Sequence, residues 1–181
     1  MRYGRWLLRL LAVTALAGLG ACATLESAKA PALDKGARWA LLPAVNNTET
    51  PQAAARLEAI TASLLRADGV KDLLVYPPTA SDDLLSPADR RAQEAGLAWA
   101  RSQNARYAVL GSVQEWRYKT GLDGEPAAGV TLSIVDLGTG QVIWTGTGAR
   151  TGWSREAVAG VAQKLLAKLV DEALANAKES P

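Results

Sequence analysis

From Ala128 to Leu137 apolar and polar side chains alternate, with Val130, Leu132 and Ile134 on one face and Thr131 and Ser133 on the other. A period of two belongs to a strand with one dry face and one wet face. Gly138-Thr139-Gly140 follows, and Gln141 to Thr147 resumes the pattern, which makes the two runs a β-hairpin. Arg106 to Lys119 is a long strand before them, so the carboxy-terminal half carries an antiparallel meander. It ends in a helix predicted from Ser154 to about Ala177. Val158, Val161, Ala162, Leu165 and Leu169 form its apolar stripe, widened by Leu166 and Val170.

The amino-terminal half reads differently. Arg38 to Val45 is apolar on both faces, the mark of a central strand covered on each side, and Asn46-Asn47-Thr48 is its polar turn. Thr50 is placed to cap a helix whose first position is Pro51, where the missing N–H costs nothing. Leu57, Ile60 and Leu64 mark its buried side, and Gly69 ends it. Asp72 to Tyr76 is a short buried strand stopped by Pro77-Pro78. Ser86, Pro87 and Asp89 then open a second helix, with Ala88, Ala92, Ala95 and Trp99 on one face. The order is β-α-β-α-β-β-β-α. Two crossovers demand parallel strands and the meander demands antiparallel ones. The fold expected is therefore α/β (α+β mixed), a mixed parallel and antiparallel sheet with helices packed on it.

The first residues are of another kind. Arg2, Arg5 and Arg9 precede an apolar run, Leu10 to Leu19, and then the small residues Gly20-Ala21. That is the order of an export signal, and the run is shorter than the roughly 20 residues a spanning helix needs. Leu19-Gly20-Ala21-Cys22 resembles the bacterial lipobox, in which the cysteine sulfur takes a diacylglycerol and the new amino terminus is acylated. The sole cysteine of the chain stands at the cleavage point, whereas exported domains carry cysteines in pairs. Residues 1–21 are thus a lipoprotein signal peptide. Cys22 is the lipidation site, its covalent lipid (palmitate-type acyl chains) being the one attached group expected. Residues 22–36 are a flexible tether, small and polar with no clear period, and residues 37–181 are one domain. Ala23 rather than Asp follows the cysteine, which by likeness to sorted Gram-negative lipoproteins favours the outer membrane.

Charge and chemistry narrow the role. Without the three signal arginines, the 20 basic residues become 17 against 18 acidic ones, a formal −1. No basic stripe of the kind that binds nucleic acid is present. The chain has no histidine, and its single cysteine is consumed by the anchor. That removes histidine-based acid–base work, cysteine–histidine nucleophiles and almost all zinc sites. An enzyme is not expected, and no cofactor or metal is.

Three positions invite a role. Asp123 and Glu125 flank Gly124 in the loop after the long strand. They are either turn chemistry, Asp-Gly being a favoured hairpin pair, or a charged surface. As a glycosidase pair they lack an apolar cleft to drive their pKa values apart. Trp153 precedes the Ser154 cap. It either packs on the first helical turn as a hydrophobic staple or seats an indole at a membrane interface. Trp116 and Tyr118 share a strand face and are core or subunit contacts, while Trp39, Trp99 and Trp144 go to the core or to interfaces.

Four segments carry a family likeness: Arg38 to Pro51, Ala105 to Lys119, Gly121-Leu122-Asp123-Gly124-Glu125-Pro126, and Thr151-Gly152-Trp153-Ser154-Arg155-Glu156. They resemble the PelC family, outer-membrane lipoproteins of the Pel exopolysaccharide secretion system that builds biofilm matrix. The wider pattern is similar to the LpoB, CsgG and TolB amino-terminal α/β group. The PelC resemblance implies a homo-oligomeric ring, a dodecamer, lipid-anchored on the periplasmic leaflet of the outer membrane beneath a β-barrel exporter with periplasmic repeats. It also implies an acidic funnel, with Asp123 and Glu125 contributing, that guides a cationic polysaccharide. Trp153 would then face membrane lipid. The rival reading is an LpoB-like activator of a peptidoglycan synthase, a monomer with a protein-binding face; a second is a generic assembly factor or lipoprotein chaperone.

Overall fold

In a computed structural model of the protein, residues 23–77, 90–121 and 124–178 are described. The strands are β1 (Ala23–Ser27), β2 (Trp39–Leu41), β3 (Val45–Asn46), β4 (Leu73–Val75), β5 (Tyr107–Tyr118), β6 (Pro126–Asp136) and β7 (Gln141–Thr151). The helices are α1 (Ala53–Ala67), α2 (Arg90–Ser102) and α3 (Val158–Leu174). All seven strands join one sheet of order β1-β7-β6-β5-β2-β4, with β3 also paired to β5. β5 is parallel to β2, which is parallel to β4; β5, β6, β7 and β1 are antiparallel in turn. The mixed sheet read from the two kinds of periodicity is thus the sheet observed.

β2 shows why its sequence is apolar on both faces. Trp39 and Leu41 point into the larger core, shared with α1 and α3, while Ala40 and Leu42 point into a smaller one under α2. The strand is shorter than its apolar run because Pro43 has no N–H to give the ladder. Pairing resumes at Val45–Asn46 against Ser112 and Val113.

α3 buries the whole predicted stripe and adds Ala173 and Leu174. Each such side chain contributes on the order of 1.5–3 kcal/mol. The helix lies close to β7 because Gly146 and Gly148 face it. A Cβ on Gly148 would come within 2.8 Å of Leu165 Cδ1 and 3.1 Å of the Thr24 carbonyl oxygen. Beyond the smaller core under α2, the opposite face of β6 and β7 is wet: Thr131 meets Thr147, and Ser133 meets Thr145, each pair at 2.9 Å between hydroxyls. Asp136 Oδ1 closes the hairpin turn, accepting from the Gly138 and Thr139 N–H groups at 2.9 and 3.1 Å.

Four local expectations are corrected. The segment 23–36 is not a free tether. Ala23 to Ser27 pair with Arg150 to Gly146, the Ala28 carbonyl accepts the Trp144 indole N–H at 3.2 Å, and Leu33 is buried. An edge strand held by backbone bonds needs no alternating pattern. Thr50 does not cap α1: its hydroxyl donates to the Trp116 carbonyl, and the helix starts after Gln52, which has a left-handed φ of 60° and no side-chain cap bond. On α1, Leu57 is buried but Ile60 and Leu64 are only partly so; Ala53, Thr61, Ala62 and Leu65 complete the buried face. On α2, Gly96 and Ala100 are buried and Ala95 is exposed. The axis passes nearest the sheet at Gly96, where a Cβ would stand 3.1 Å from Pro43 Cδ, so the contact stripe is rotated by one residue. The Ser86, Pro87 and Asp89 signals lie outside the described residues.

Candidate functional site

One end of the sheet gathers the features singled out in the sequence. There β5 stops at Tyr118, β6 starts at Pro126 and β7 stops at Thr151, because Tyr118 pairs with Pro126 and Ala127 with Thr151. β1 enters at the same end, Ala23 standing opposite Arg150. Cys22 and Asp123 lie outside the described residues, but their neighbours Ala23 and Gly124 are both at this end. Glu125 is exposed, and its carbonyl accepts the Lys119 N–H at 2.7 Å. Gly124 has a left-handed φ of 50°, a conformation that glycine adopts at little steric cost.

The link from β7 to α3 is built around Glu156. Ser154 does not cap α3, which begins four residues later at Val158. Residues 153–156 form a separate turn instead. The Glu156 N–H donates to the Trp153 carbonyl at 2.9 Å, and the Trp153 N–H donates back to Glu156 Oε2 at 3.1 Å. Lys164 Nζ, from the second turn of α3, donates to Glu156 Oε1 and forms an ion pair with it. The Tyr118 hydroxyl donates to the Glu156 carbonyl at 3.4 Å. The Lys164 hydrogen bond, then the Trp153 N–H, hold the Glu156 carboxyl below its ordinary value, and Arg150 adds a longer-range attraction. Gly152 is required here, since a Cβ on it would collide with Glu156 Oε2 and Val161 Cγ2.

The product of this arrangement is an exposed indole on a fixed turn. Trp153 is 57% exposed and Tyr118 56%, so the hydrophobic-staple reading of Trp153 is not what the structure adopts. Trp116 is buried, as are Trp39 and Trp144; Trp99 is half-buried, edge-on to Tyr76 at 5.2 Å. Glu156 and Lys164 escape a reading of the sequence, and Tyr118, read as a core or subunit contact, is instead exposed. Their one local signal is an acidic side chain three residues after Trp153, the spacing of a reciprocal capping turn.

A groove of about 760 Å³ opens on the wet face of the sheet, between β1, β7, β6, β5 and the loop 48–50. Glu26, Glu49 and Glu115 line it beside Thr24, Gln114 and Thr147, and Glu115 also pairs with Arg117 at 3.0 Å. Among the described residues, no helix is long and apolar enough to cross a membrane, and no three acidic, cysteine or histidine side chains converge as a metal site.

No protein-family model matches the chain, and no curated protein does. Solved structures do. A PelC dodecamer from Paraburkholderia phytofirmans is 41% identical over 87% of this chain and 100% of its own, with a TM-score of 0.73. A point variant of that dodecamer in another crystal form is 42% identical over 83% and 98%, with a TM-score of 0.70. The lipoprotein GNA1162 from Neisseria meningitidis is 16% identical over 77% and 99%, with a TM-score of 0.52, a likeness of fold alone.

Proposed function

The chain belongs to the PelC family, and on that premise we propose that it is a non-enzymatic lipoprotein of Pel exopolysaccharide export at the outer membrane. It assembles with copies of itself into a ring, a dodecamer like the solved relatives. It is anchored to the periplasmic leaflet through lipid on Cys22, and it hands a cationic polymer to a β-barrel exporter. The observation that carries the reading is the shared sheet end. The exposed Trp153, the exposed Glu125 and the residue after Cys22 all lie there. An amphipathic ring beside an acyl anchor is the pairing that a membrane interface selects. A lumen lined with carboxylates, Asp123 and Glu125 among them, concentrates a chain of opposite charge, and many weak contacts let it keep moving. A ring also needs a heterologous interface that closes on itself.

The test is a paired one. Asp123→Lys is expected to cut polymer export while the protein accumulates and folds as the parent does; unchanged export would remove Asp123 from the path. Native mass spectrometry of the lipidated protein in detergent is expected to report a large closed oligomer. A monomer at every concentration would instead fit an activator of a peptidoglycan synthase.

A further inference from the structure

An indole 57% exposed on the chain between a strand and a helix would ordinarily fold back onto the nearest apolar surface, and here something holds it out. Among the described residues, the side chain bonded to the Trp153 backbone is that of Glu156, and Glu156 is itself tied to two separate elements. Its Oε2 takes the Trp153 N–H at 3.1 Å and its own N–H returns to the Trp153 carbonyl at 2.9 Å. Its Oε1 takes Lys164 of α3, and its carbonyl takes the Tyr118 hydroxyl at the end of β5. Both backbone polar groups of Trp153 are therefore fixed by one residue, which sets the direction in which its side chain leaves the turn.

We propose that Glu156 is a positioning residue for the membrane contact: it sets the backbone of Trp153 so that the indole projects, already ordered, from the sheet end at which the chain enters β1. This rests on the reading of Trp153 as lipid-facing. A side chain held in its bound orientation before contact loses less freedom on binding, and affinity rises by that amount. Gly152 belongs to the same device, because the carboxylate occupies the space where a Cβ at 152 would lie. Lys164 belongs to it as the ion-pair partner that holds the carboxylate in place and lowers its pKa.

The experiment uses the processed chain from residue 22 with Cys22→Ser, so that no acyl chain masks the indole. Vesicles of phosphatidylethanolamine and phosphatidylglycerol serve as the probe. Flotation measures binding, and the difference in emission between each protein and its Trp153→Phe form isolates the indole. Trp153→Ala must lower binding; if it does not, the membrane reading of Trp153 fails, and the positioning role with it. Glu156→Ala is expected to weaken binding roughly threefold to tenfold, the cost of ordering one side chain, and to reduce the blue shift of Trp153 on vesicles. Its Tm is expected to stay within about 3 °C of the parent. Parental binding by Glu156→Ala alongside weakened Trp153→Ala would overturn the positioning role and leave the membrane reading standing. A loss of binding that merely follows a collapse in Tm would overturn it too, making Glu156 a residue of the fold.

Discussion

β5 begins and ends in a tyrosine, and the two are used in opposite ways. Tyr107 is 2% exposed, its ring tilted against Trp39 at 4.7 Å between centroids and covered by the Arg106 guanidinium at 5.0 Å. Tyr118, eleven residues on, is 56% exposed, its hydroxyl reaching the Glu156 carbonyl of the Trp153 turn. The end of the sheet around Tyr107 is closed by polar ties: Arg38 to Asp72 at 2.8 Å, and the Trp39 indole N–H to the Asp34 carbonyl at 3.0 Å. The end around Tyr118 spends its polar ties on the backbone of the Trp153 turn and leaves the rings outside. The same residue types thus serve stability at one end and are withheld from the core at the other. Aromatics left out of a core although one is within reach are the features that ask for a functional explanation.

That contrast can be broken by mutation. Trp39→Ala should cost about 3–5 kcal/mol of unfolding free energy in urea titration, as a large buried side chain does; a loss below 1 kcal/mol would mean the closed end is not a true core. Gly148→Ala, which presses Leu165 and the Thr24 carbonyl together, should cost about 1–3 kcal/mol, read the same way. Ser27→Ala removes the hydroxyl that donates to Glu172 of α3 and should cost about 0.5–1 kcal/mol. It should also speed hydrogen exchange at Ala28, whose N–H is bonded to Thr145 at 2.8 Å. Trp153→Ala should change stability by less than about 0.5 kcal/mol, and a larger loss would erase the difference between the two ends.

The pH dependence is the smallest of these effects and has a fixed sign. The folded pKa of Glu156 is depressed, so its contribution is complete above the ordinary carboxylate value and fades as the pH falls through the lowered one. The emission of Trp153 should accordingly stay constant from neutral pH down to the ordinary carboxylate range and change only in stronger acid. Glu156→Gln should lose that acid transition.

The sequence carries the sheet and the helices because periodicity is a long-range average. Val130, Leu132 and Ile134 declare a strand, and nine buried positions declare α3, whatever happens at their ends. Boundaries depend on single hydrogen bonds, and there the reading fails. Thr50 and Ser154 are good caps by type, yet the Thr50 hydroxyl finds the Trp116 carbonyl instead, and a separate turn intervenes after Trp153. β1 was illegible for a different reason: Leu25 is its one large apolar side chain, and backbone pairing leaves no mark in composition. Of the candidate site, Trp153 and Glu125 were visible as residues of specific motifs, but whether Trp153 packs on the helix or stands exposed was not. Their arrival at one end of the sheet was not, because it follows from the pairing of β5, β6 and β7.

The docking of residues 23–27 also has a consequence for assembly. A free linker of 14 residues would let a domain anchored at Cys22 wander over roughly 20 Å in every direction. With Ala23 already in register opposite Arg150, no residue would separate an acyl anchor on Cys22 from the fold. Every copy would then ride at one height and in one tilt, and neighbours would search for each other only by sliding and spinning in a plane. Confinement of that kind raises effective concentration without any new contact. A five-residue edge strand would so make ring closure a two-dimensional problem.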